Sequence, residues 1–121
     1  MSAIQALLRG LTAESGELVT AREGAAQWVI FNRPQARNAM TWGMYERLVE
    51  VCQEVNADRS VHALLLTGAG GAFVAGTDIA QFRSFSTEQH ALEYEARGNH
   101  VMDTIERVRV PTIAAIAGAC T

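Results

Sequence analysis

From His62 to Thr67 the chain reads HALLLT, a run with no Asp, Glu, Lys or Arg. A strand with one wet face would alternate apolar and polar residues, but this run is apolar on both sides. That pattern suits a strand covered on both faces, as in a parallel sheet. Parallel neighbours cannot be joined by a tight turn and need a crossover, usually a helix. The chain supplies the parts. After the run come glycines and small residues, then SFSTEQHALEYEARGNHVMDTIERVRVP, in which Tyr94, Gly98, Val101, Ile105 and Val108 recur at spacings of four and three. This is the stripe of a long amphipathic helix, opened by a capping box of Ser86 and Gln89 and ended before Pro111. TIAAIAG, from Thr112, is then expected to be a second doubly buried strand.

The same logic reads the earlier residues. GELVTAREGAAQWVIFNRP is a hairpin, with strands near Leu18–Arg22 and Gln27–Phe31 about a turn at Glu23-Gly24, stopped by Pro34. MTWGMYERLVEVCQEVNAD is a helix with Thr41 as N-cap and Met40 placed to staple onto Tyr45. Its apolar face carries Met44, Leu48, Val51 and Val55, while Glu46, Glu50 and Glu54 form a solvated stripe. Hairpin, helix, strand, helix, strand is an α/β order that closes on a βαβ crossover. Residues 1–15 are weakly patterned, a short helix or a loose arm. Two good helices are few for covering both faces of a parallel sheet. The expectation is that the chain is incomplete or depends on a partner.

The 121 residues suit one domain, 49% of them apolar, and a net charge of −3 lacks the basic face of a nucleic-acid binder. No run approaches the ~20 apolar residues of a membrane helix, and the N-terminus lacks a cationic lead. Cys52 and Cys120 form neither a metal spacing nor a disulfide framework, which points to a reduced, cytosolic setting. His62, His90 and His100 sit in no nucleophile motif and read as structural or surface residues; Trp28 and Trp42 read as packing residues. Gly68 and Gly70 begin a dinucleotide fingerprint, but its third glycine is Phe73, and no GK[ST] is present.

Three stretches carry a resemblance. FNRPQARNAM, LLLTGAGGAFVAGTDIAQF and VPTIAAIAGAC are similar, in order and spacing, to the enoyl-CoA hydratase/isomerase (crotonase) family, with the likeness running from about Gly16 to the end. The resemblance implies a repeated β-β-α spiral, of which residues 16–121 are the N-terminal part behind an arm of residues 1–15. It implies acyl-CoA thioester substrates, no separate cofactor, no metal, and a homo-oligomer, a trimer or dimer of trimers. It implies an enolate held by two backbone N–H donors, one of them that of Thr77, where the family usually has alanine. Ala75, Gly76, Asp78 and Ile79 surround that donor at the thioester end, and Arg37 and Ala39 hold the CoA arm. Read without the resemblance, the Thr77 loop is an ordinary strand-to-helix turn capped by Asp78, Arg37 a surface arginine and Ala39 a packing residue.

The second donor and the proton-handling acids of the hydratases belong to later parts of the family's domain. The implied reaction is hydration of a 2-enoyl-CoA, with this chain expected to be truncated and inactive alone. The alternative is a non-catalytic crotonase-like fragment serving CoA binding or assembly. Isomerisation, dehalogenation, decarboxylation and hydrolysis share the same oxyanion hole, and acyl chain length is not written in these residues.

Overall fold

The structure, a computed structural model, describes residues 3–70, 72–74, 88–116 and 119–120. The hairpin forms as its alternation predicts. β1 (Leu18–Glu23) pairs antiparallel with β2 (Ala26–Phe31), Leu18 opposite Phe31 and Glu23 opposite Ala26. Gly24, at φ +58, makes the turn in a conformation that glycine adopts without penalty. The chain then crosses through α2 (Trp42–Ala57) to β3 (Ala63–Gly68), which lies parallel to β2. A second crossover through α3 (Glu88–Glu106) reaches β5 (Thr112–Ala115), parallel to β3. The main sheet is therefore ordered β1-β2-β3-β5. Two short strands that no periodicity announced, β4 (Ala72–Val74) and β6 (Ala119–Cys120), pair in a small second sheet. Ahead of all this, α1 (Ala3–Gly10) lies against β1 and buries Ile4, so residues 3–10 of the arm are a helix.

One face of the sheet makes the core. Parallel register puts Val29 beside Leu66 and Gln27 beside Leu64. Against Val29, Phe31, Leu64 and Leu66, α2 brings Met44, Leu48, Val51, Cys52 and Val55, and α3 brings Val101. Each such large apolar side chain contributes roughly 1.5–3 kcal/mol on burial. The cap of α2 is the expected one, with Met44 N–H donating to Thr41 Oγ1 at 3.2 Å. Glu46, Glu50 and Glu54 are exposed as expected, and Arg47 pairs with the last two at 3.0 and 3.1 Å. On the other face Trp28 is half-buried, its Nε1 without a hydrogen-bond partner among the described residues.

Far from any loop chemistry, Arg109 ties three segments together. Its Nη2 donates to the carbonyls of Val55 (3.1 Å), Asp58 (2.7 Å) and Val61 (3.0 Å), and its backbone N–H donates to Asn56 Oδ1 (2.8 Å). The link between α3 and β5 is thereby fastened to the end of α2, where carbonyls have no helical partner.

The expectation that fails concerns TIAAIAG. β5 is not doubly buried: every residue from Thr112 to Ile116 is exposed, Ile113 at 50% and Ile116 at 52%. The reason is positional. β5 pairs with β3 on one side and is the edge of the main sheet among the described residues, and burial comes from neighbours rather than from composition. The capping box at Ser86 lies outside the described residues, as does the helical turn expected at Asp78. Among the described residues no helix is long and apolar enough to cross a membrane.

Candidate functional site

The segment between β2 and α2 is built around a short helical turn and two left-handed residues. β2 ends at Phe31, and Asn32 anchors the arm: its Nδ2 donates to the carbonyls of Thr12 and Gly16, both at 2.9 Å. Pro34–Ala36 forms one 3-10 turn, for which proline's fixed φ suits the first position. The turn closes when Arg37 (φ 52) and Asn38 (φ 59) enter the left-handed region. Asparagine is among the few residues that tolerate this conformation, and arginine needs support there.

The support comes from Asn38, which is 0% exposed. Its Oδ1 accepts from the Arg33 N–H at 2.7 Å, and its own N–H donates to the Arg33 carbonyl at 2.8 Å. Its Nδ2 donates across to the Ala69 carbonyl at 2.8 Å, just past the end of β3. A buried amide so bonded at both ends satisfies its polar atoms, which unpaired would cost about 1–3 kcal/mol each. Arg33 is also consumed locally. Its Nη1 donates to the Ala39 carbonyl at 2.6 Å and its Nε lies 3.1 Å from Glu17 Oε2.

A second contact joins the same two segments. Gly70 has φ +81, and a Cβ built on it would lie 2.8 Å from Pro34 Cβ. Only glycine fits there, for its conformation and for the space. Alongside, the Ala69 N–H donates to the Phe31 carbonyl at 2.8 Å. The exits of β2 and β3 are thus held as one body.

Of the residues expected at the CoA end, Arg37 is exposed, and its guanidinium makes no hydrogen bond or ion pair among the described residues. Ala39 is half-buried. Its N–H is taken by the Ala36 carbonyl at 3.0 Å, and its carbonyl accepts from Arg33, so what remains is a methyl group and one carbonyl lone pair. Ala75, Gly76, Thr77, Asp78 and Ile79 lie outside the described residues. β4 leads toward them in sequence, with Phe73 edge-on to Phe31 at 5.7 Å between ring centroids.

Asn38 was not singled out by sequence reasoning, Pro34 was read only as a strand stop, and Gly70 only as part of an incomplete dinucleotide fingerprint. A signal existed: asparagine, here four residues after the proline that opens the turn, is among the residues that tolerate a left-handed conformation.

A separate cleft of about 290 Å³ runs between α2 and α3, lined by Trp42, Tyr45, Glu46, Val49, Arg97, His100 and Val101. Trp42 packs on Tyr45 and Tyr94, with the Arg97 guanidinium 5.5 Å from its ring centroid. Trp42 is a packing residue, as expected, and His62 and His100 are exposed.

Residues 21–121 match the family described as enoyl-CoA hydratase/isomerase. The chain is 34% identical over 106 residues to a short-chain-enoyl-CoA hydratase of Clostridium acetobutylicum, covering 87% of this chain and 40% of that one. It is 34% identical over 102 residues to a crotonyl-CoA hydratase of Syntrophomonas wolfei, covering 84% and 39%. Among solved structures, an enoyl-CoA hydratase/carnithine racemase from Magnetospirillum magneticum superposes with a TM-score of 0.79 at 36% identity, over 85% of this chain and 39% of that one. The chain spans about 40% of the length of the relatives it matches.

Proposed function

From its membership of the enoyl-CoA hydratase/isomerase family, to which this chain belongs, we propose that it binds acyl-CoA thioesters across the paired exits of β2 and β3. Arg37 meets a phosphate of the CoA arm, and the residues around Ala39 flank the pantetheine. Ala75, Gly76, Asp78 and Ile79 surround the thioester, whose oxygen is held by the Thr77 N–H. The reaction served is hydration of a 2-enoyl-CoA through an enolate, in a homo-oligomer. The observation that carries this reading is the division of labour among the loop's arginines. Arg33 is engaged by the Ala39 carbonyl and by Glu17, whereas Arg37, four residues on, presents a guanidinium with no partner among the described residues. A phosphate is one of the groups whose geometry matches a guanidinium fork. Both relatives above are hydratases by name.

The chemistry follows from the donor type. A thioester oxygen gains charge as the enolate forms, and a fixed N–H aimed at it is worth about 3 kcal/mol in the transition state. Glycine at position 76 lets the ligand approach the backbone. A main-chain donor makes the threonine side chain dispensable. A second reading is a crotonase-type unit that binds CoA without turnover.

Titration calorimetry with CoA and crotonyl-CoA, together with loss of the conjugated thioester absorbance, tests both. Arg37→Ala is expected to weaken CoA binding by about 1–3 kcal/mol, the worth of a charge-assisted contact. Gly76→Val should abolish the extra affinity of the thioester, and Thr77→Ala should not. Binding without turnover selects the second reading. An affinity that Arg37→Ala leaves unchanged at low and high salt refutes the phosphate contact.

A further inference from the structure

We propose that Asn38 and Gly70 are positioning residues, a clasp that fixes the spacing between the CoA-holding loop and the strand exit leading to the thioester. This inference rests on the acyl-CoA reading above. A thioester spanning two loops gains from its second contact only if the first already places it there. A relative shift of about 1 Å is enough to forfeit much of that gain.

Two independent observations point to such a device. The Asn38 amide is buried, and it uses its acceptor on Arg33 within its own loop and its donor on Ala69 in the other. Gly70 takes the opposite side, its missing side chain letting Pro34 come closer than any Cβ permits. One contact pulls the two segments together, and the other sets how close they come. The Ala69–Phe31 hydrogen bond fixes the strand ends behind them. Neither Asn38 nor Gly70 needs to touch the ligand.

The substitutions can be chosen to separate backbone from clasp. Asn38→Gly keeps the left-handed conformation accessible and removes both side-chain hydrogen bonds. Asn38→Asp keeps the shape and the acceptor but removes the donor to Ala69. Gly70→Ala drives a methyl group against Pro34.

The experiment measures Kd for free CoA and for crotonyl-CoA with the full chain and with each variant. Free CoA engages the first loop alone, so its affinity should stay within about twofold in Asn38→Asp, which keeps the acceptor to Arg33, and in Gly70→Ala, while the advantage of crotonyl-CoA over CoA falls about tenfold; Asn38→Gly, which also loosens the loop that presents Arg37, should lower that advantage as much and weaken CoA binding besides. Combining Asn38→Gly with Gly70→Ala should cost little more than the larger single effect, since either opens the same clasp. Equal loss of both affinities would show a purely structural role and overturn the proposal, as would an unchanged ratio. If Asn38→Gly does not fold, Asn38→Asp and Gly70→Ala decide by the same ratio, and failure of all three to fold shows a role in folding rather than positioning. A wild-type chain that binds neither ligand overturns the acyl-CoA reading itself, an outcome distinct from a chain that binds both with a ratio the variants do not move.

Discussion

Replacing Arg109 by methionine keeps most of the side chain's apolar stem and removes the guanidinium. Its Nη2 faces three carbonyls, at 2.7, 3.0 and 3.1 Å, yet carries only two hydrogens. Two full bonds' worth is therefore the ceiling. Hydrogen bonds to charged groups are worth about 1.5–3 kcal/mol each, and a cation at a helix C-terminus adds about 0.3–1 kcal/mol. Arg109 is exposed, so water competes and the low end applies. The loss should be about 3 kcal/mol. At this chain length that is a fall of roughly 10 °C in Tm. Thermal and urea unfolding followed by circular dichroism read it, with an unchanged m-value showing that the folded and unfolded ensembles are otherwise alike. Lysine at 109 carries three donors but is one bond shorter, so it should recover only part of the loss. A methionine variant within about 0.5 kcal/mol of wild type would refute the reasoning. It would mean that the three carbonyls are served equally well by water.

Two further outcomes follow. The Asp58 carboxyl is held below its ordinary value of 3.8, first by Ser60 and then by Arg22. A carboxylate with a lowered folded pKa contributes stability above its unfolded pKa and loses it as pH falls through the folded one. Stability should therefore drop as the medium is acidified below about pH 4, and Asp58→Asn should flatten that drop in pH-resolved unfolding curves. An equally steep acid limb in the variant would rule the group out. The exposed apolar edge at β5 predicts self-association of the isolated chain, and Ile113→Lys should restore a monomer, since edge lysines block strand pairing. Sedimentation showing the same mass for both proteins would count against it.

Elements with several periods of pattern were legible in the sequence. The hairpin alternates over two strands, α2 repeats its apolar face through Met44, Leu48, Val51 and Val55, and β3 is apolar throughout. β4 and β6, at three and two residues, are too short to show a period, and only the folded chain brings them together. β5 looked buried because its residues are those of buried strands, but a neighbour on its far side is not a local property. Half of the candidate site's loop was legible. Arg37 stands out by its charge, whereas Asn38 belongs to a residue type usually found at the surface, and its burial depends on a carbonyl 31 residues away. Arg109 carries no local signal either, since its three carbonyl partners lie 48 to 54 residues away along the chain.

The sheet's strand order also predicts an order of assembly. The hairpin closes over a two-residue turn, and its formation commits few residues. β3 must wait for α2 to span the sheet, and β5 can join only when α3 has done the same, with Thr67 reaching Ala115 across 48 residues. Each added strand closes a longer loop and costs more entropy before its contacts repay it. Amide hydrogen exchange should therefore be slowest in β2 and β3, which have partners on both sides, and fastest along β5. The molecule is then expected to be firmest at the parallel β2–β3 pair and loosest where the last strand is laid down.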